Sequence, residues 1–155
     1  NPKNSLLFVD GDFLYENQVL NEFIVQEFND CLLIADADID DIECAKTVVN
    51  SDGYIVLMID KRQITDEELY NRKFVGEGIG MIMISHNKRD IFLTLCNIFF
   101  REEGNLIKNW EHLMNRYFVL ENVNYHKTMN KFKTIEIDTP EDYREAITLF
   151  KDTLI

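Results

Sequence analysis

Length, composition and charge place the chain among globular domains. It has 155 residues, 46% of them hydrophobic and 28% charged, which excludes an intrinsically disordered tail and favours a single domain over residues 1–155. Sixteen basic residues against 28 acidic ones give a net charge of −12, and this disfavours non-specific binding to nucleic acid or to an anionic membrane.

Membrane and export signals are not visible in the sequence. No apolar run approaches the ~20 residues needed to cross a bilayer, and the first residues do not resemble a signal peptide. The three cysteines, Cys31, Cys44 and Cys96, are scattered and odd in number. We expect reduced thiols in a cytoplasmic protein.

The first predicted element is a strand at residues 6–9, directly followed by Asp10, Gly11 and Asp12. An apolar run without polar alternation is typical of a strand buried on both faces, as in a parallel α/β sheet. Ligands bind at the carboxyl ends of such strands, and paired aspartates are hard ligands suited to Mg²⁺. Aspartate also caps helices and closes turns, so this segment alone predicts either a metal site or a turn.

The middle of the chain predicts alternating helices and strands. Apolar spacing predicts helices at residues 17–28, 88–101 and 105–120, the second with Ile91, Leu95, Ile98 and Phe99 facing inward. Trp110 in the third helix is expected in the core. Strands are predicted at residues 31–35 and 80–85, with a hairpin at residues 47–59 and an edge strand at residues 123–129. Residues 65–68 are typical of a helix start or a polar loop.

The closing segment predicts a second acidic strand end. Residues 134–137 form a short apolar run that ends in Asp138, and Thr139, Pro140 and Asp142 are typical of a capped helix start. Asp12 and Asp138 are therefore both predicted at strand-to-helix junctions. Although they lie far apart in sequence, two such aspartates can converge on one metal ion.

Other polar groups are weaker candidates. The acidic stretch at residues 36–41 has neither the glycine nor the glutamate that an EF-hand calcium loop requires, so a solvated loop is expected. The three histidines, His86, His112 and His126, show no metal-binding spacing.

These segments, in this order, resemble the C-terminal half of a sugar-nucleotide-type nucleotidyltransferase, close to the phosphocholine and phosphonate cytidylyltransferases. The similar segments read VDGD at residues 9–12, ECAKTVVNSDGYIVLMIDK at 43–61, FVGEGIGMIMIS at 74–85 and TIEIDTPEDYREA at 134–146. The resemblance implies an α/β fold in which a mixed, mostly parallel sheet is flanked by helices. It also implies that the N-terminal nucleotide-binding half is lacking, because no glycine-rich loop with Arg and Lys precedes the VDGD strand.

The resemblance also implies roles for single residues. Asp12 and Asp138 would hold the catalytic Mg²⁺, with Asp10 as a supporting partner or substitute. Glu77 would line the acceptor pocket, and Lys61 would face the acceptor phosphate. The partners would be a nucleoside triphosphate, CTP or UTP, and a small phosphorylated or phosphonate acceptor.

Alternative functions remain open at this point. The alternative is a non-catalytic binding or structural remnant of that fold, or a domain that completes its site with another chain. Without the glycine-rich loop we expect the isolated chain to be inactive. We also expect a homo-oligomer, or association with the missing N-terminal half, through the strand at residues 6–9. A haloacid-dehalogenase-type hydrolase is disfavoured, because the hairpin and the GEGIG strand do not fit that class.

Overall fold

A computed structural model describes residues 5–24, 30–129 and 132–151. The strands are β1 (Leu6–Val9), β2 (Phe13–Tyr15), β3 (Cys31–Ala35), β4 (Lys46–Val49), β5 (Ile55–Ile59), β6 (Lys73–Ile84), β7 (Asn124–Lys127) and β8 (Thr134–Glu136). The helices are α1 (Asn17–Ile24), α2 (Asp66–Leu69), α3 (Arg89–Arg101), α4 (Trp110–Leu120) and α5 (Pro140–Leu149), with a 3-10 turn at Asn105–Ile107. Within these described ranges, no helix is both long and apolar enough to cross a membrane.

The twelve-residue strand β6 organises the main sheet. Strand β3 pairs along one side of it, and β4 and β1 share the other side end to end. β4 pairs with the first part of β6, up to Glu77, and β1 pairs with the last part, from Met81 onward. Between these two ladders, at residues 78–80, β6 has no partner strand among the described residues. There the Gly78 N–H donates to the Ala45 carbonyl oxygen and the Gly80 carbonyl oxygen accepts from the Asp10 N–H, and a cleft lies beside this stretch.

The predicted mixed α/β sheet with flanking helices is confirmed, but the expectation of mostly parallel pairing is wrong. Among the described strands β3 and β7 pair in parallel, whereas the other five strand pairs are antiparallel. The expectation that β1 is buried on both faces is also wrong, since β1 is half-buried and Val9 is 45% exposed. An apolar run indicates contact with a core, but it does not report the direction of the neighbouring strand.

Two apolar clusters cover the two faces of the sheet. Leu32 and Ile34 of β3 belong to the cluster that contains the buried residues of α3 and α4. Cys31 and Leu33 belong to the cluster that contains Val19 and the other buried residue of α1. Because successive strand residues point to opposite faces, one strand supplies both clusters. The result is a three-layer arrangement with the sheet in the middle.

Several predicted elements are confirmed with small shifts in their bounds. The β4–β5 hairpin forms, and β6 begins at Lys73, seven residues before the predicted start. The capped start of α5 is present, because the Thr139 hydroxyl accepts from the Asp142 backbone N–H and the Asp142 carboxylate accepts from that of Thr139. Helix α1 is described to Ile24, and residues 25–28 of its predicted span lie outside the described residues.

Two helix expectations need correction. Within α3, Leu95 and Phe99 face the core as predicted, but Ile91 and Ile98 are exposed and Phe92 is buried instead. Both sets of residues have helical spacing and apolar side chains, so the sequence pattern alone does not choose between them. The helix predicted over residues 105–120 is divided into the 3-10 turn and α4.

Candidate metal and substrate site

A cleft of about 360 Å³ lies beside residues 78–80 of β6, between the strands β4 and β1. All five site residues expected from the sequence line this cleft, namely Asp10, Asp12, Lys61, Glu77 and Asp138. They come from four separate parts of the chain, so the fold brings the predicted residues together.

Asp12 and Asp138 are neighbours because β2 and β8 pair in antiparallel register. Phe13 lies opposite Glu136, and the Ile137 N–H donates to the Asp12 carbonyl oxygen at 2.8 Å. This register places the residue before β2 beside the residues that follow β8. Asp12 therefore lies in a turn between two strands, and its expected position at a strand-to-helix junction is wrong.

Three carboxylates converge at this point. Asp12, Glu136 and Asp138 each place an oxygen atom within 4.8 Å of the others. Glu136 was not predicted, although residues 136 and 138 are two apart and so share one face of an extended strand. Burial raises the pKa of Glu136 to about 7, and the neighbouring Asp138 carboxylate contributes to this increase. Three hard oxygen donors at this spacing suit a divalent cation such as Mg²⁺.

Gly80 allows the aspartate turn to approach β6 closely. The Asp10 N–H donates to the Gly80 carbonyl oxygen at 2.7 Å. Gly80 has φ +66°, and a Cβ atom there would lie 2.8 Å from both the Asp10 Cβ and the Phe13 ring. Any other residue would push the turn away from the sheet. Asp10 lines the cleft beside the three carboxylates, and burial, followed by the Asp12 charge, raises its pKa.

Lys61 and Glu77 both line the cleft. The Lys61 ammonium is 3.4 Å from the Asp138 carboxylate, and both side chains are about half exposed. An ion pair this open to water is weak, so Lys61 can turn toward a ligand at little cost. Glu77 is half-buried on β6, and burial raises its pKa.

Lys46 supports the loops around the cleft, a role that the sequence analysis missed. Its side chain is fully buried, and its ammonium donates to the carbonyl oxygens of Asp41 and Arg62, the latter at 3.0 Å. These two carbonyls belong to the loops that carry Glu43 and Lys61. One buried cation therefore joins both loops.

The start of α4 forms another wall of the cleft, which the sequence analysis also missed. The Asn109 amide donates to the Asp60 carboxylate at 2.8 Å, and the Trp110 ring stacks on Phe8 with the centroids 5.6 Å apart. Trp110, expected in the core, packs against it but also lines the cleft. Glu111 is 7% exposed, and burial raises its pKa to about 7. An acid in the first turn is usual for a helix, so no local pattern indicated that Glu111 would be buried.

Negative charge dominates the cleft. Eight of the described residues that line it are carboxylates, and Lys61 is the one base among them. The carboxylates are Asp10, Asp12, Glu43, Asp60, Glu77, Glu111, Glu136 and Asp138. Such a site attracts cations, and it binds an anionic ligand only together with them.

Solved structures share this fold. No protein-family model matches the chain, and no curated protein matches it in sequence. A UDP-glucose pyrophosphorylase bound to UDP-glucose is similar, with a TM-score of 0.66 and 13% identity over 97% of this chain. The CTP:phosphocholine cytidylyltransferase of Streptococcus pneumoniae gives 0.64 and 13% over 93%, and the inositol-1-phosphate CTP transferase of T. maritima gives 0.62 and 21% over 97%.

The likeness extends over nearly all of this chain but only part of those enzymes. The matched region is 57% of the length of each of the three solved chains. The predicted fold is therefore confirmed as a partial sugar-nucleotidyltransferase-like domain. At these identities the comparison establishes the fold, and the chemistry has to be argued from the residues in the cleft.

Proposed function

We propose that this domain contributes the metal and acceptor site of a nucleotidyltransferase. The reaction is Mg²⁺-dependent transfer of a nucleoside monophosphate from a nucleoside triphosphate, CTP or UTP, to a small phosphorylated or phosphonate acceptor. The observation that carries the proposal is the convergence of Asp12, Glu136 and Asp138 within 4.8 Å, in the cleft of a fold found in nucleotidyltransferases.

Asp12, Glu136 and Asp138 would hold the Mg²⁺ ion, with Asp10 as a neighbouring support. Carboxylate oxygens are the ligands that Mg²⁺ prefers, and the ion usually also binds substrate phosphates. When bound, it neutralises negative charge on those phosphates during the transfer. Burial raises the pKa of Glu136, and a cation bound beside it would stabilise the ionised form that can act as a ligand.

The transfer itself requires no nucleophile from the protein. An anionic oxygen of the acceptor phosphate or phosphonate bonds to the α-phosphorus of the triphosphate. The bond between that phosphorus and the oxygen bridging to the β-phosphorus breaks, and pyrophosphate leaves with the electron pair. The protein positions the two substrates. Lys61 would bind the acceptor phosphate, and Glu77 would orient polar groups of the acceptor.

The triphosphate cradle would come from elsewhere. The 155 residues contain no glycine-rich loop with Arg and Lys, and backbone N–H groups of such loops usually hold phosphates. A nucleotide-binding half would pair with the side of β1 that has no partner strand among the described residues. A second copy of this chain is the other partner expected there. We place the complete protein in the cytoplasm, since all three cysteines are free thiols.

The competing candidate keeps the same fold without catalysis, as a binding or structural module. The single base in a cleft with eight carboxylates favours this alternative, because a triphosphate needs positive charge. Neither nucleic acid nor a membrane is expected as a partner at a net charge of −12.

Pyrophosphate release tests the proposal. The chain is assayed with CTP, UTP and other triphosphates, Mg²⁺, and phosphocholine or sugar phosphates, alone and mixed with a separately produced N-terminal half of a cytidylyltransferase. We expect release in the mixture only, lost in Asp138→Asn and kept in Glu145→Gln, a matched charge removal on the exposed face of α5. If the chain binds Mg²⁺ but no mixture releases pyrophosphate, the non-catalytic module is the better account.

A further inference from the structure

Lys46 is a fully buried cation whose ammonium donates to the carbonyl oxygens of Asp41 and Arg62. Burying an ammonium costs free energy, and lysine is almost never fully buried unless it is paired. Both acceptors here are neutral peptide groups, so packing alone gives no reason for a lysine where an apolar side chain would cost less. The bonds to the two loops are what distinguish this lysine from an apolar residue.

The turn after β5 has a strained backbone at Lys61. Lys61 has φ +39°, in the left-handed region that residues other than glycine rarely adopt. Such a conformation persists only where the surrounding contacts hold it. The carbonyl oxygen that Lys46 binds at 3.0 Å belongs to Arg62, the residue directly after Lys61. The Lys46 ammonium therefore holds the strained turn from the side of the core.

The other side-chain contacts of this turn lie in water. The Arg62 guanidinium donates to the Glu68 carboxylate of α2, and the Gln63 amide donates to the Asp40 carbonyl oxygen, and both contacts are exposed. Exposed contacts of this kind stabilise little, because water and salt compete with them. The buried bond of Lys46 is therefore the contact best able to keep the turn in one conformation.

The backbone at Lys61 decides what its side chain can reach. The Lys61 ammonium is 3.4 Å from the Asp138 carboxylate, and both residues line the cleft. A lysine side chain is a flexible stem, so the region that it reaches depends on the direction in which it leaves the backbone. A change of φ from +39° to the ordinary negative range would turn the Cα–Cβ bond of Lys61 to a new direction.

The same ammonium also influences Glu77. Lys46 lies opposite Glu77 in the β4–β6 ladder, so the two side chains leave the sheet on the same face. Burial raises the pKa of Glu77, and the Lys46 charge opposes this increase. One buried lysine therefore supports both residues of the proposed acceptor site, Lys61 through the backbone and Glu77 through its charge.

We propose that Lys46 is a positioning residue for the acceptor phosphate, because its buried ammonium fixes the left-handed turn from which Lys61 faces the cleft. Lys46 itself does not touch the acceptor and acts through Lys61. This inference rests on the proposed function for the role of Lys61 in binding a phosphate. The hold on the turn depends only on the contacts of Lys46.

A double-mutant cycle tests whether Lys46 acts through Lys61. Calorimetry measures the affinity of the 155-residue chain for glycerol 3-phosphate in saturating Mg²⁺ for the wild type, Lys46→Met, Lys61→Gln and the double variant. We expect Lys61→Gln to weaken binding about tenfold and Lys46→Met about fivefold or more. The double variant should bind within about twofold of Lys61→Gln, because residues that act as a unit are not additive.

Lys133 provides the matched control. Its ammonium also donates to a backbone carbonyl oxygen, that of Leu149 at 2.8 Å, and Lys133 is not among the described residues that line the cleft. Lys133→Met should keep the phosphate affinity of the wild type. Melting curves check that each variant is folded, and Lys46→Gln, which keeps one amide donor, takes the place of Lys46→Met if the latter does not fold.

Backbone relaxation measured by NMR without any ligand tests the hold on the turn separately. In the wild type the Lys61 amide should be as rigid as the sheet, with an order parameter of about 0.85, and in Lys46→Met it should fall below about 0.6. A merely structural role of Lys46 elsewhere in the core would lower the melting temperature without this local change.

Each outcome decides the inference. A folded Lys46→Met that keeps the wild-type affinity or the rigid Lys61 amide would overturn it, as would losses of affinity that add in the double variant. No binding of glycerol 3-phosphate by the wild type would overturn the inference together with the proposed acceptor site. A loss of affinity that depends on Lys46 and Lys61 as a unit, while every transfer assay fails, would support Lys46 as the positioning residue and reject the proposed reaction.

Discussion

Replacing Gly80 by alanine tests how the aspartate turn is held against β6. The backbone at Gly80 is left-handed, with φ +66°, which costs an L-residue about 1–2 kcal/mol. The added Cβ would also lie 2.8 Å from Asp10 and Phe13, and relieving such overpacking costs about 1–3 kcal/mol. Gly80→Ala should therefore destabilise the fold by about 2–5 kcal/mol in urea unfolding followed by circular dichroism.

Gly53 provides the matched control. It also has a left-handed backbone, with φ +85°, but a Cβ atom there meets nothing within 4 Å. Gly53→Ala should lose only the backbone term of about 1–2 kcal/mol. Gly80→Ala should in addition weaken Mg²⁺ binding, because the displaced turn carries Asp12. Equal destabilisation by the two variants would refute the packing argument.

Three further predictions concern stability and association. Burial raises the pKa of Glu111 to about 7 from an ordinary 4.5, so ionising Glu111 destabilises the folded state increasingly as the pH rises through this interval. Glu111→Gln should therefore raise the melting temperature more at pH 8 than at pH 4.5, and a change in melting temperature that is the same at both pH values would contradict this. The Tyr117 hydroxyl donates to the fully buried Asp30 carboxylate, so Tyr117→Phe should lower the free energy of unfolding in urea by about 1.5–3 kcal/mol. The control Tyr70→Phe, at a 75% exposed site, should change it by no more than about 0.5 kcal/mol. Equal effects of the two variants would reject a stabilising role for the buried hydrogen bond. Light scattering should show that the chain associates at micromolar concentration through β1, and Val9→Lys should shift it toward the monomer. A wild-type chain that is a monomer of 18.3 kDa would contradict this prediction.

The prediction from the sequence that Asp12 and Asp138 lie close together is confirmed, but the structural reason differs from the expected one. Asp12 and Asp138 were expected to meet because each ends an apolar strand. They meet because β2 and β8 form a separate two-stranded ladder whose register pairs Phe13 with Glu136. Strand β2 has only three residues, which is too short to give a recognisable alternation. The same ladder explains why Glu136 was missed.

The acceptor side of the cleft was harder to predict. Glu77 and Lys61 were found by resemblance, whereas Lys46 and Glu111 acquire their importance from burial. Lysine in a strand and glutamate in a first helical turn are ordinary in sequence. Their environment depends on how the loops and α4 pack over β6, and these long-range contacts have no local pattern. The prediction of mostly parallel strand pairing was wrong for the same reason, because the partner and direction of each strand depend on contacts throughout the sheet.

Anomalous diffraction from crystals soaked in Mn²⁺ tests the central claim most directly, because Mn²⁺ accepts the oxygen ligands of Mg²⁺ and its position can be located. The account predicts one strong peak bounded by the carboxylates of Asp12, Glu136 and Asp138, with metal–oxygen distances of about 2.2 Å, and its loss in Asp138→Asn. A peak confined to the exposed acidic loop at residues 36–41, or no peak in crystals that leave the cleft open, would contradict the account.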